Sequence, residues 1–103
     1  MNTNEKTDLM NCERVLALYR EVEKAIDDGI VGRAKDKLQE LHSLLKNQTQ
    51  RSAFRGAYSR LPRVSSPLNE WKMYLSDSRK SVEEYEHRLR RMVEQEQEQK
   101  KVP

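Results

Sequence analysis

Side chains able to catalyse a reaction or to bind a metal ion are few in this sequence, and they are far apart. His42 and His87 lie on different predicted helices, and neither has a second histidine or a cysteine at ligand spacing. The carboxylates beside His87 are typical of a solvated helix face. There is neither a Gly-x-Ser-x-Gly nucleophile turn nor a Gly-rich phosphate-binding loop. We therefore predict a protein that is not an enzyme and that carries no metal or cofactor.

The middle of the chain contains the side chains best suited to bind a partner. Residues 41–69 include basic residues but no acidic one, although the net charge of the whole chain is only +3. Arginine and aromatic residues alternate there, and both are common anchors in protein interfaces. The candidate partner-binding residues are Arg51, Phe54, Arg55, Tyr58, Arg60 and Arg63, together with Trp71.

Three interpretations of these arginines remain open. They could dock on an acidic protein surface, or they could bind nucleic acid through phosphate contacts with aromatic stacking. They could also do no more than keep a loop soluble. Charge elsewhere in the chain is nearly balanced, whereas a dedicated nucleic-acid-binding domain is usually strongly basic. We therefore favour docking on a protein over direct binding of nucleic acid.

Ser66 and Pro67 predict either the start of a helix or a second binding site. Ser66 suits the N-cap of a helix, and Pro67 suits its first position. Pro62 and Pro67 also bracket a short loop, in which X-Pro bonds can populate the cis isomer. This composition motivates the hypothesis that a peptidyl-prolyl isomerase binds Ser66, Pro67 and Leu68.

The overall composition favours helices as the elements that position these residues. A chain of 103 residues fits one domain, and with 36% charged and 35% hydrophobic residues its core must be thin. Three glycines and three prolines provide few of the tight turns that a β-fold needs. No apolar run is long enough to span a membrane, and the N-terminus lacks the features of a secretory signal. The single cysteine, Cys12, is interpreted as a small core residue, so a cytoplasmic protein is the simplest expectation.

Residues 1–50 are predicted to form a helical hairpin. Apolar side chains recur at spacings of three and four in residues 7–28, and again from Val31 to Leu45. Between these two stretches Gly29 is a helix stop signal. So short a connection folds two amphipathic helices back against each other.

Residues 51–67 are predicted to form a basic connecting segment that contains aromatic residues and prolines. Its apolar residues from Ala53 to Tyr58 could extend the second helix or form a separate turn, and the sequence leaves that choice open. Residues 60–66 should be a loop, because Pro62 disfavours helix in the residue before it.

Residues 68–103 are predicted to form a long third helix with a frayed tail. The a positions of its heptad repeat are Leu68, Leu75, Val82 and Leu89, and the d positions are Trp71, Ser78, Tyr85 and Met92. Ser78 is the weak point of this stripe and could mark a bend. After Val93 the Glu/Gln-rich sequence has no apolar stripe, so fraying is expected.

Together these elements predict an all-α fold in which a helical hairpin is followed by a basic loop and a long third helix. An intramolecular three-helix bundle is the favoured arrangement. The alternatives are a partly open molecule that leaves an apolar stripe for a partner, and a coiled-coil homodimer or adaptor that pairs through the third helix.

One stretch between the helices carries a family resemblance. It runs from Arg60 to Trp71 as Arg-Leu-Pro-Arg-Val-Ser-Ser-Pro-Leu-Asn-Glu-Trp. In this stretch, in its size and in its helical character, the chain resembles the small anti-RecBCD (Abc-type) proteins of lambdoid phages. The resemblance implies a phage protein that binds the RecC subunit of the host RecBCD helicase–nuclease in the bacterial cytoplasm, protects linear phage DNA and favours phage recombination. A host peptidyl-prolyl isomerase that engages the Pro67 loop also suits this resemblance.

Overall fold

The described part of the chain folds into four α-helices. The computed structural model describes the backbone of residues 3–101 and the side chains of residues 5–95. The helices are α1 (Thr3–Asp27), α2 (Val31–Lys46), α3 (Ser52–Arg60) and α4 (Leu68–Lys101), and this part of the chain contains no strand. The predicted all-α class is therefore confirmed.

The helices pack as an up-down-up-down bundle. Helix α1 contacts α2 and α4, and α3 completes the ring by contacting the same two helices. Two ion pairs show that α1 and α4 run antiparallel, because Lys72 near the start of α4 bonds to Asp27 at the end of α1, whereas Arg90 bonds to Glu13 at 3.1 Å. Both the α1–α2 turn and the α3–α4 loop consequently lie at the same end of the bundle.

A three-residue turn forms the predicted hairpin between α1 and α2. The amide of Ile30 donates to the Ala25 carbonyl at 2.9 Å, and the amide of Gly29 donates to the Ile26 carbonyl at 3.0 Å. These two bonds form the Schellman motif, which needs a left-handed residue after the helix end. Gly29 provides it, with φ at 74°.

A separate short helix occupies the part of the connecting segment that the sequence leaves open. Helix α2 ends at Lys46, four turn residues follow it, and α3 then begins at Ser52. Phe54 and Ala57 are buried on its inner side. In the described part of the chain, α3 thus adds a fourth helix to the predicted hairpin and long helix, because this segment contains enough apolar residues to bury one face of a helix against α2 and α4.

The core is a single cluster along the axis of the bundle. Trp71, Tyr19 and Phe54 are its largest fully buried side chains. The a and d positions of α4 from Trp71 to Leu89 are directed into this cluster, and all are buried except the half-buried Tyr85. A coiled-coil homodimer through the same stripe would therefore require the bundle to open.

Helix α4 begins at Leu68, so Pro67 precedes the helix instead of opening it. Its helical backbone extends to Lys101, in agreement with the high helix propensity of Glu, Gln and Lys. Its 34 residues have a length of about 51 Å, and the longest dimension of the molecule is 56 Å.

Ser78 does not bend α4 but forms a buried polar contact among three helices. Its hydroxyl donates to the Ala57 carbonyl of α3 at 2.6 Å and accepts a bond from the hydroxyl of Tyr19 on α1. Ala57 lies in the last turn of α3, where the amide of Leu61 bonds to Tyr58 instead, at 3.3 Å. Ser78 therefore satisfies a carbonyl that the helix end leaves without its usual partner.

Candidate interaction site

The loop between α3 and α4, residues 61–67, is held by two side chains from neighbouring helices. His42 of α2 contacts the Pro62 carbonyl through Nε2 at 2.8 Å, and Trp71 of α4 donates from Nε1 to the Ser66 carbonyl at 3.0 Å. Inside the loop, the Ser66 amide donates to the Arg63 carbonyl at 2.9 Å. These bonds fix both ends of the loop and leave Arg63 exposed at its tip.

Two of the predicted partner-binding residues are core residues. Phe54 and Trp71 are fully buried, and the Phe54 ring packs edge-on against Tyr85 with the ring centroids 5.6 Å apart. The expectation that these two aromatic side chains reach a partner is corrected, because α3 and α4 use them to fill the bundle. The interleaving of arginine and aromatic residues in this segment reflects an amphipathic helix rather than an aromatic binding surface.

A third predicted residue, Arg51, is bound inside the molecule. Its Nε lies 3.0 Å from Oδ2 of Asp8, which is only 7% exposed. Tyr85 donates its hydroxyl to the same carboxylate oxygen at 2.8 Å. Burial is the larger cause that raises the pKa of Tyr85 to about 12, and the hydrogen bond to Asp8 is the second cause. Arg51 therefore compensates a carboxylate that is almost buried.

The remaining predicted arginines are accessible. Arg60 bonds to the Ser81 hydroxyl at 2.6 Å, whereas Arg55 and Arg63 are exposed and form no ion pair within the described part of the chain. Tyr58 is half-buried, and its ring packs edge-on against His42 at a centroid distance of 5.8 Å. The structure thus brings Arg60 and Arg63 to the loop and leaves Arg55 on the outer side of α3.

The proposed isomerase-binding residues lie directly before and at the start of α4. Pro67 is exposed, while Ser66 and Leu68 are half-buried. All described peptide bonds, including that of Pro67, are trans. Pro67 provides the carbonyl that accepts from the Glu70 amide at 3.0 Å, so Ser66 does not occupy the predicted N-cap position.

The structure adds two exposed apolar residues that the sequence interpretation missed. Met73 is 58% exposed and Tyr74 is 38% exposed, and both belong to the first two turns of α4. An open groove beside Tyr74 is lined by Ser59, Arg60, Leu61, Pro62, Arg63, Ser66, Glu70 and Asp77. Neither residue occupies an a or d position of the α4 heptad repeat, and this position outside the apolar stripe was the sequence feature that could have predicted their exposure. We call Arg60, Arg63, Pro67, Met73 and Tyr74 the loop–α4 surface.

Neither a metal centre nor a membrane span is found in the described part of the chain. None of its His, Cys, Asp and Glu residues form a group of three that could hold a metal ion. None of its helices is both long and apolar enough to cross a bilayer. Comparison with protein-family models, with curated proteins and with solved structures finds no match for this chain.

Proposed function

We propose that this protein is a non-enzymatic modulator of a larger protein complex and that it binds this complex through the loop–α4 surface. The observation that carries the proposal is the exposure of Met73 and Tyr74 beside a loop whose ends are fixed. Aromatic, Met and Arg side chains are enriched in protein interfaces relative to the rest of a protein surface. A fixed loop also loses less conformational entropy on binding than a mobile one.

The partner that the family resemblance suggests is the RecC subunit of the host RecBCD helicase–nuclease. Binding there would change the activity of the complex if the protein had different affinities for its functional states. The consequence would be protection of linear phage DNA and a gain in phage recombination in the bacterial cytoplasm. The chain itself would perform no chemical step.

Binding to purified RecBCD tests this proposal directly. The complex is immobilised, affinity is measured by biolayer interferometry, and degradation of linear duplex DNA is followed in parallel. Tyr74→Ala should weaken binding about 30-fold, which corresponds to about 2 kcal/mol for a central interface residue. Met10→Ala is the matched control, because Met10 is 64% exposed but lies on α1 at the other end of the bundle.

Two results would overturn the proposal. One is that the wild-type chain fails to bind RecBCD or leaves its DNA degradation unchanged. The other is that Tyr74→Ala and Met10→Ala change the affinity equally, since the loop–α4 surface would then have no special role. Far-UV circular dichroism of both variants confirms that they remain folded.

A peptidyl-prolyl isomerase is a second candidate partner, supported by the exposure of Pro67 at the fixed end of the loop. The Ser66 carbonyl is held by Trp71, so an isomerase would meet Pro67 on a presented segment. Titration of the labelled chain with a purified bacterial isomerase should shift the amide NMR signals around Pro67. If Pro67→Ala responds to the isomerase as the wild type does, this second partner is rejected.

A further inference from the structure

Helices α2 and α3 each carry a polar stripe along one edge. On α2 the stripe consists of Lys35, Gln39, His42 and Lys46, which are spaced by four, three and four residues. On α3 and the residue before it the stripe consists of Arg51, Arg55 and Tyr58, which are spaced by four and three residues. Residues with this spacing lie on one side of a helix. Neither stripe includes an acidic residue.

The two stripes meet at His42. Its ring packs edge-on against Tyr58, and its Nε2 lies 2.8 Å from the Pro62 carbonyl. A shallow groove between α2 and the loop adds Arg63 to the same side of the molecule, next to Gln39 and His42. The stripes and Arg63 therefore form one continuous surface, which we call the α2–α3 basic face.

The cations of this face are mostly uncompensated. Lys35, Lys46, Arg55 and Arg63 are all exposed, and none of them forms an ion pair in the described part of the chain. Arg51 is the exception, since its charge is balanced by Asp8. By contrast, Lys37, on the edge of α2 that faces α1, lies within 4 Å of both Glu21 and Glu40.

The face lacks the features of a protein interface. Among the side chains that the structure describes, the exposed large hydrophobic ones are Met10, Ile30, Val31, Met73, Tyr74 and Met92, and none of them belongs to either stripe. A protein interface normally has an apolar centre, whereas phosphate recognition requires only cations and hydrogen-bond donors. The charges of the face therefore complement a polyanion better than they complement a protein surface.

We propose that the α2–α3 basic face binds the phosphate backbone of DNA. Lys35 and Lys46 are separated by about 16 Å along α2, which corresponds to about five base-pair steps of a duplex. Tyr58 is the one tyrosine of the α2–α3 basic face, and its ring packs on His42, so this face offers no free phenol ring to stack on a base. Binding should consequently be independent of sequence, and single strands should gain no advantage over duplexes.

Fluorescence anisotropy with labelled DNA tests this proposal. The probes are a random-sequence 20-base-pair duplex and its single strand, titrated with the full chain at several salt concentrations between 50 and 200 mM. Four phosphate contacts predict a slope of about −3.6 for log K against log salt with the duplex, or a loss of about 150-fold over this range. Lys35→Gln/Lys46→Gln should bring the slope to about −1.8, because two contacts are removed.

The matched control is Arg20→Gln/Lys24→Gln. These two α1 residues are exposed and form no ion pair in the described part of the chain, and their removal changes the net charge by the same amount. The control should keep the wild-type slope. An equal loss in both double variants, or no duplex binding at 50 mM salt, would refute the proposal.

The result is also separable from the proposed function. Lys35 and Lys46 lie outside the loop–α4 surface, so their replacement should leave the affinity for RecBCD unchanged. If the double variant loses RecBCD binding while DNA binding is absent in the wild type, the face belongs to a protein interface and the DNA proposal is overturned.

Discussion

Replacing Ser78 with alanine should destabilise the bundle much more than its small size suggests. Ser78 is fully buried on α4, and its hydroxyl is shared between the Tyr19 hydroxyl and the Ala57 carbonyl. Without it, both partners stay buried and unsatisfied, at a cost of about 1–3 kcal/mol each. The better helix propensity of alanine offsets no more than about 0.7 kcal/mol. We therefore expect Ser78→Ala to lower the free energy of unfolding by about 1–5 kcal/mol.

The measurement is urea unfolding followed by far-UV circular dichroism, with the denaturant dependence fitted for each variant. Ser76→Ala is the matched control, because Ser76 is half-buried on the same helix and its side chain forms no hydrogen bond in the described part of the chain. It should change the free energy of unfolding by less than about 0.5 kcal/mol. Tyr19→Phe should cost about 1 kcal/mol, since Ser78 can still donate to Ala57.

The double variant Tyr19→Phe/Ser78→Ala separates the hydrogen bond from a packing effect. Once the Tyr19 hydroxyl is absent, removing Ser78 leaves only the Ala57 carbonyl unsatisfied. The loss in the double variant should therefore be smaller than the sum of the two single losses, by about 1–2 kcal/mol. Additive losses, or a Ser78→Ala variant within about 0.5 kcal/mol of the wild type, would contradict the proposed role of this contact.

Three further predictions concern the first turn, the cysteine and the alkaline limit of stability. Gly29→Ala should lower the free energy of unfolding, measured with urea, by about 1–2 kcal/mol, because φ is positive at this residue. Gly32→Ala in helix α2 should leave the free energy of unfolding unchanged or raise it by up to about 1 kcal/mol. Burial and the nearby carboxylate of Glu86 raise the pKa of Cys12 to about 12. A thiol reagent at pH 8 should therefore label Cys12 far more slowly in the native protein than in the urea-unfolded chain. Comparable labelling rates would show that Cys12 is accessible in the native protein. The pKa of Tyr85 is raised to about 12 as well, so above about pH 9 the unfolded chain binds fewer protons than the native one. The urea midpoint should then fall from pH 8 to pH 11, and a constant midpoint would contradict these pKa directions.

The helices themselves follow closely from apolar spacing, but their number did not. The stripes of α1, α2 and α4 are long enough to specify a helix without tertiary information. Helix α3 has only 9 residues, which is too short to be stable by itself. Its formation depends on burying Phe54 and Ala57 between α2 and α4. A local pattern cannot reveal that dependence, so the sequence could not decide between an extension of α2 and a separate element.

The candidate site was less predictable, because its residue types have two opposite uses. Aromatic residues next to arginines are typical of a binding surface and also of a short amphipathic helix. The structure assigns Phe54 and Trp71 to the second use and Arg55 and Arg63 to exposed positions. Arg51 shows a third outcome, because its partner Asp8 is 43 positions away in the sequence. Pairing over such a distance depends on the packing of α2 and α4 against α1, which brings the turn before α3 close to Asp8.

The acid-free stretch of the sequence becomes a surface feature only because the chain reverses direction within it. Residues 41–69 contain the last six residues of α2, all of α3, the loop and the first two residues of α4. The reversal at residues 47–51 sets Lys46 and Arg55 on adjacent helices, so charges that are separated along the chain share one side of the bundle. Lys35 joins them from outside the stretch, since it lies on the same edge of α2 as His42. In an extended segment these cations would be spread out and would attract a polyanion more weakly. The hairpin of α2 and α3 is therefore what the full strength of the proposed DNA binding depends on, and any variant that unfolds α3 should weaken the salt-dependent binding without removing a single charge.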